Sequence, residues 1–415
     1  MKYLFIHPNF PAQFRHVAAR LAQSPENQVV FACTNTRPEW VIANVRKVQF
    51  GTRFQPPTNG HKLAHYYERA VAQGEAGYML CRKLVESGFT PDVVVGHSGW
   101  GATMFVRDAL PKTPFVGYFE WYYNADGADV GFDPAETVTG IQRMNLRTRN
   151  AVILNDLDAC CIGQLPTTWQ ASQFPERYRD KLAIRHDGVD TTFFAPLSAE
   201  ERAKGLVLPG LDLSGVRELV TYATRGMEPY RGFPQFMEAL PRILAERPEA
   251  HVLVVGEDRV CYGKPPQEGG SWKAVMLDRL KGVPGMDRVH FTGGLPYGEY
   301  RQVLQHSMAH VYLTRPFVLS WSMLEAMSCG VPLIASATAP VEEVVEHGRN
   351  GQLVDFFSSD AIAEAVCRAL SNPAEMLPMR KEARRTVLER FSLERLLPGN
   401  VQLIVDAAMG KFDSR

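Results

Sequence analysis

Residues 315–336 read RPFVLSWSMLEAMSCGVPLIAS. An extended apolar run passes through serines into a short helical stretch, then through Cys329-Gly330 into a second apolar run, VPLIAS. Extended, helical and extended segments in that order fit a parallel sheet flanked by helices. One acid, Glu325, stands inside the apolar helix, and two local readings fit it. Ser322-Met323-Leu324-Glu325 matches a capping box, in which Glu325 turns back onto the backbone. Alternatively Ser320 is the cap and the helix begins at Trp321. Its unpaired N–H groups then face outward for an anionic phosphate, and Glu325, one turn in, accepts hydrogen bonds from a neutral hydroxyl.

The same alternation runs outward in both directions. ELVTYATRG, HVLVVGE, DRVHFTG, AHVYLT and GQLVDF read as strands, and FPQFMEALPRIL as a helix. In the first half KYLFIHP, QVVFACT, FTPDVVVGH and TPFVGYFEW read as strands, and DACCIG as a short strand or buried turn. QFRHVAARLA and 141–158 are helical, and the segment after His61 is two helices or one interrupted near Gly74. Residues 38–63 take no assignment. The strand runs are continuously apolar, as expected where both sheet faces are covered. The fold class is therefore α/β, with two Rossmann-like domains facing across a cleft. Residues 1–170 form the first and 171–393 the second, which restarts near Lys181 with the strand and turn LAIRHDGVD. Residues 394–415 form a C-terminal helical segment whose apolar residues suit packing against either domain, back on the first among them, with its two fragments separated by Pro398 and Gly399. Ligand contacts are expected on loops at the carboxyl ends of the strands.

Composition narrows the function classes. The 415 residues carry 45 Lys and Arg against 45 Asp and Glu, which leaves no general field for nucleic acid. Seven cysteines, with Cys160 and Cys161 adjacent and no C-x-x-C, suit a reduced, cytoplasmic protein. MKYLFIHPNF is too short an apolar stretch for a signal peptide and soon meets Pro8 and Pro11. No run reaches the roughly 18–20 apolar residues that span a bilayer, although peripheral membrane contact stays compatible.

Several strand ends carry polar groups. Arg225 and Arg231 lie beside glycines in YATRGMEPYRGFPQF and suit either phosphate oxygens or solvent. Gly188 in HDGVD marks a turn or a ligand contact. His97 follows PDVVVG as a proton carrier or a packed loop residue, and Glu120 ends TPFVGYFEW. Gln13 fits a helix start or a polar contact, and His16 a structural position on an apolar face. Trp100, Trp121, Tyr122 and Tyr123 suit a carbohydrate platform or a core. Asp126, Asp129 and Asp133 lack a coordination spacing, so neither a metal nor a cofactor is expected.

Taken in order, IRHDGVDTTFFAP, ATRGMEPYRGFPQFMEAL, VLVVGE, VHFTGGLPYGEY, RPFVLSWSMLEAMSCGVPLIAS and APVEEVVEHGRNGQLVDFFSSDAIAEAV resemble the carboxyl-terminal half of the retaining glycosyltransferases of family 4. The resemblance spans residues 184–393 and implies a GT-B architecture. It implies a nucleotide-diphosphate sugar on the second domain and a hydroxyl acceptor on the first. Arg225 and Arg231 would contact the diphosphate, with Arg231 in place of a common lysine. Glu325 would hold the ribose hydroxyls, and the backbone of Ser322, Met323 and Leu324 would approach the phosphates. Phe317 stands where the family has the first acid of its paired motif. Glu120 stands where a histidine is frequent. The lost and the gained acid are expected to belong to one altered sugar pocket, with Glu120, His97, Arg225 and Arg231 as its catalytic set. The implied function is retaining glycosyl transfer. The rivals are a noncatalytic nucleotide-sugar-binding protein and a sugar-nucleotide epimerase of the same architecture. A dehydrogenase fits less well, because the opening strand lacks a G-x-G-x-x-G turn.

Overall fold

Seven strands build the first sheet in the computed structural model, which describes residues 1–55 and 59–412. They are β1 (Lys2–Ile6), β2 (Gln28–Cys33), β3 (Val45–Gln49), β4 (Val93–His97), β5 (Phe115–Tyr118), β6 (Ile162–Leu165) and β7 (Leu182–Ile184). All pairings are parallel, in the order β3-β2-β1-β4-β5-β6-β7. Alternate residues of β1 serve different layers. Tyr3 and Phe5 pack with Phe31, Val93 and Val95 on one face, while Leu4 and Ile6 pack with Val30 and Val94 on the other. Burial on both faces is why these strands read as unbroken apolar runs. The order reverses between β1 and β4, the position at which such sheets open a crevice at their carboxyl ends.

Four segments depart from the sequence reading. β3 lies within the unassigned stretch, of which 56–58 fall outside the described residues. It is an edge strand whose residues are half-buried or exposed, so VRKVQ lacks an apolar signature. The LAI segment does not open the second domain. It forms β7 and pairs in register with β6, so the first unit runs from Met1 to Asp187 and takes in the chain from Glu394 onward. A three-residue strand carries no pattern that says which sheet it joins. The segment after His61 gives one uninterrupted helix, His65–Glu86, with Gly74 buried against Phe105. Finally, Leu393–Ala408 is one helix through Pro398. A proline inside a helix removes one backbone hydrogen bond. Burial of Leu403, Ile404 and Ala407 in the core beside Tyr3 and Phe5 offsets that loss, at roughly 1.5–3 kcal/mol per large side chain.

The second unit, Gly188–Leu393, carries ahead of its sheet an antiparallel hairpin of β8 (Leu206–Leu208) and β9 (Leu211–Leu213), which has no counterpart in the sequence reading. Its sheet comprises β10 (Glu218–Gly226), β11 (Ala250–Glu257), β12 (Val289–Gly293), β13 (Ala309–Tyr312), β14 (Leu333–Ser336) and β15 (Gln352–Val354). The order is β12-β11-β10-β13-β14-β15, all parallel, with its reversal between β10 and β13. Among the described residues no helix is long and apolar enough to cross a membrane.

Candidate functional site

In the second unit the loops after β10 and β13 meet at the reversal point. β10 ends in Arg225-Gly226, and a short turn, Pro229–Arg231, leads to the helix Phe233–Glu246. Gly232 joins them at φ 65°, where a Cβ would lie 2.5 Å from the Leu313 Cβ, so only glycine fits. Arg231 is buried. Its Nη1 donates to Thr314 Oγ1 at 2.7 Å and to the Val318 carbonyl at 3.1 Å, which ties the two loops together. Arg225 is exposed at the strand end.

Glu228 lies between these arginines and is fully buried. Its carboxylate accepts the backbone N–H groups of Cys261 (3.0 Å), Tyr262 (3.0 Å) and Gly263 (2.7 Å). That holds Tyr262 against Phe317, with ring centroids 5.3 Å apart. Tyr230 meets Phe317 edge-on at 5.5 Å and lies 6.1 Å from Tyr262, and the Arg231 guanidinium lies over Tyr262 at 5.3 Å. Phe317 is 8% exposed and is one of three mutually packed rings.

Past Phe317 the helix Trp321–Ser328 begins, capped by Ser320, whose Oγ accepts the Ser322 N–H at 3.4 Å. The Ser322 capping box is absent, and Glu325 points elsewhere. It is 4% exposed and accepts a hydrogen bond from the Tyr297 hydroxyl. Burial pushes its carboxyl up to about 7, against the opposing Tyr297 and Tyr300 hydroxyls. Met323 and Leu324 send their side chains into the core, so these two can face a ligand only through their backbone. Ser320→Ala should cost about 1 kcal/mol of stability, read in urea melts, through loss of the cap.

The carboxyl ends of β1, β4 and β5 gather a second polar cluster in the first unit. His97 ends β4, and its Nε2 lies 3.4 Å from Glu120 Oε2. Gln13 Nε2 donates to Glu120 Oε1, and Gln170 Nε2 to the Glu120 carbonyl at 2.7 Å. The His7 ring meets His97 edge-on at 4.7 Å. Burial, with His97 adding to it, pushes His7 down to about 3, so His7 is neutral and its Nδ1 accepts the Asn9 N–H. Enclosure by protein works to raise Glu120, but His97, His7 and Gln13 outweigh it and hold the carboxyl below its ordinary range.

These two clusters occupy the strand ends where such folds bind ligands, and the comparisons agree with that architecture. Residues 25–194 match the model described as Glycosyl transferase family 4 group, and residues 216–386 the model Glycosyl transferases group 1. The chain belongs to the family 4, group 1 glycosyltransferases. It is 28% identical over 256 residues to the GDP-mannose-dependent alpha-(1-6)-phosphatidylinositol monomannoside mannosyltransferase of Mycolicibacterium smegmatis, covering 59% of this chain and 61% of that protein. It is 26% identical over 161 residues to the N-acetyl-alpha-D-glucosaminyl L-malate synthase of Bacillus anthracis, covering 39% of this chain and 38% of that one. The chain thus matches about two-fifths to three-fifths of these relatives' lengths. Among solved structures, Anabaena HepE in complex with UDP and glucose superposes with a TM-score of 0.71 at 15% identity, covering 98% of this chain and all of that one. Sucrose-phosphate synthase of Thermosynechococcus elongatus gives 0.70 at 18%, covering 99% and 100%. At such identities the likeness speaks for the GT-B fold alone.

In this member of the family the structure groups Arg231, Phe317 and the start of the Ser320-capped helix in the second unit, and His97, Glu120 and Gln13 in the first. Gly188 has φ 89°, and a Cβ there would meet the Leu393 Cα at 3.0 Å, which accounts for the glycine by close chain approach. Asp126 is committed to a bidentate pair with Arg143, both contacts at 2.6 Å. Among the described residues no group of three or more His, Cys, Asp or Glu is placed to hold a metal ion. The sequence reading missed Glu228 and His7. An acid set between Gly226 and Pro229 at a strand end was the available signal for Glu228; His7, inside an apolar strand, offered none.

Proposed function

We propose that the chain transfers a glycosyl group, with retention at the anomeric carbon, from a nucleotide-diphosphate sugar to a hydroxyl acceptor. The observation that carries this reading is the buried Glu325 one turn inside a helix that Ser320 caps through the Ser322 N–H. A carboxylate there suits the two hydroxyls of a ribose, and the N–H groups of Met323 and Leu324 in the first turn suit a phosphate. As the bond to the sugar breaks, the leaving diphosphate gains charge, which Arg225 and those N–H groups stabilise. The leaving phosphate takes the acceptor's proton on the same face. Arg231, with Nη1 already committed, holds the loop of Phe317 and adds positive field. Glu120 and His97 act on sugar hydroxyls. The names of the relatives, one GDP-mannose-dependent, and the UDP bound in HepE favour a nucleotide-sugar donor.

Incubation of the purified protein with a panel of nucleotide sugars, followed by mass spectrometry, should show loss of one donor, faster with an acceptor alcohol present. No loss of any donor sinks the reading. Arg225→Ala should lower turnover about tenfold with the melting temperature unchanged, since the side chain is exposed. The buried Phe317 ring, which supplies no charge, favours one rival, a nucleotide-sugar-binding protein without transfer. Tight donor binding with neither transfer nor hydrolysis would select it.

A further inference from the structure

The four aromatic residues that suited a carbohydrate platform separate sharply in the structure. Trp121 is 5% exposed and packs near Trp169, while Tyr122 and Tyr123 lean on the first core. Trp100 is 52% exposed, yet its loop is held from several sides. The Tyr66 hydroxyl donates to the Gly99 carbonyl. Ser98 Oγ donates to Asp156 Oδ2 at 2.7 Å, and Asp156 is fully buried. Gly101 has φ 91°, and a Cβ there would lie 2.2 Å from the Ala70 carbonyl oxygen, so the loop presses directly on the helix His65–Glu86.

The indole is itself anchored. Trp100 Nε1–H donates to His97 Nδ1 at 3.1 Å. That nitrogen also lies 2.9 Å from the Ser98 carbonyl, and its two neighbours make opposite demands. The carbonyl calls for a proton on Nδ1, while the indole, which can only donate, calls for a lone pair. The tautomer with hydrogen on Nε2 satisfies the indole and also turns an N–H toward Glu120 Oε2 at 3.4 Å. Glu120, 32% exposed, is held ionised and keeps acceptor capacity beyond Gln13 and His97. A fixed, solvent-facing indole and an ionised carboxylate therefore flank one imidazole.

We propose that Trp100, His97 and Glu120 form a pyranose subsite, in which the indole covers the C–H face of a sugar ring and Glu120 accepts its hydroxyls. The subsite specifies a carbohydrate ring rather than a simple alcohol. The ring belongs to the acceptor or to the donor, and that distinction alone rests on the glycosyl-transfer reading.

The test uses the full chain and the variants Trp100→Ala, Trp100→Phe and Glu120→Gln. Saturation-transfer NMR with methyl α-D-glucopyranoside and methyl α-D-mannopyranoside forms one arm. Calorimetric affinities of UDP-glucose against UDP, and GDP-mannose against GDP, form the other. Trp100→Ala should weaken the ring-bearing probe about tenfold or more, and Trp100→Phe less than about threefold, because stacking needs a ring and not an N–H. Glu120→Gln should weaken the same probe. A change confined to the methyl glycosides assigns the ring to the acceptor, and a change in nucleotide sugar relative to nucleotide assigns it to the donor. Either outcome supports the subsite. Equal binding by Trp100→Ala and the unmodified chain overturns it, as does no ring-dependent binding in either arm. Trp100→Phe as weak as Trp100→Ala also overturns it, since the indole would then act only by anchoring His97. Failure of the transfer reading looks different: no donor is consumed while pyranose binding persists.

Discussion

Glu325→Gln should remove a pH dependence from the stability of the second unit. Burial holds the Glu325 carboxyl at about 7, against 4.5 for a free glutamate. A folded-state pKa raised above the unfolded one gives stability that is fully present below pH 4.5 and lost as pH rises through about 7. That displacement is worth roughly 3 kcal/mol at most between pH 4.5 and 8.5. The groups facing the carboxyl are Tyr297 and Tyr300, with Cys329 nearby, and burial keeps the Tyr300 hydroxyl and the Cys329 thiol above their ordinary pKa. Neither the Tyr300 hydroxyl nor the Cys329 thiol titrates in that window, but burial pushes His310 of the same unit down to about 3, and such histidines add a slope of opposite sign. That slope is common to the chain and the variant, so urea melts at pH 5 and pH 8.5 are read as a difference: the stability of the unmodified chain minus that of Glu325→Gln should fall by roughly 2 kcal/mol from the lower to the higher pH. Parallel profiles would mean that the carboxyl is not held in its protonated form. On the proposed reading the same site couples to ligand. Ribose hydroxyls donate best to a carboxylate, so UDP or GDP binding at pH 6 should release close to one proton, seen by calorimetry in buffers of different ionisation enthalpy. In Glu325→Gln that release should drop by close to one proton, leaving what the diphosphate's own second ionisation contributes, and affinity should fall about 10- to 100-fold.

Glu228→Ala should destabilise the second unit by roughly 2–4 kcal/mol and loosen the turn at 261–263. Three backbone N–H groups lose their acceptor, and each buried orphan costs about 1–3 kcal/mol. Water recovers part of that, because Tyr262 is partly exposed. Glu228→Gln keeps one carbonyl oxygen but sets an amide NH₂ against the same donors, so it should lose about half as much. Amide exchange at Cys261, Tyr262 and Gly263 reports the local effect and thermal melts the global one. Unchanged protection of those amides together with an unchanged melting temperature would show that the carboxylate does not hold the turn. Because Tyr262 and Tyr230 pack against Phe317, the loosened turn should also expose that ring.

Phe317 shows how far a resemblance carries. It marked a departure from the family pattern. The structure packs it against two tyrosines, one following β10 and one following β11. Neighbours 55 and 87 residues away in the chain decide that environment, and no local spacing encodes them. The two caps proposed for one helix tell the same story. Ser320 and Ser322 both satisfied local capping rules. The choice fell to Tyr297, whose hydroxyl reaches Glu325 from 28 residues upstream and draws the carboxylate away from the helix start.

By itself the sequence determined the strands buried on both faces, the helices between them, the α/β class and the family, because burial on both faces imposes a long apolar run that needs no partner to be recognised. It also placed Arg225, Arg231, His97, Glu120 and Glu325 near strand or helix ends. The tertiary structure alone decided the rest: the edge strand β3, the membership of β7, a helix that continues through Pro398, the full engagement of Glu228, and the indole that orients His97. Each of these depends on a pairing or a hydrogen bond between residues distant in the chain, and the free energy of such contacts is absent from the short-range periodicity a sequence displays.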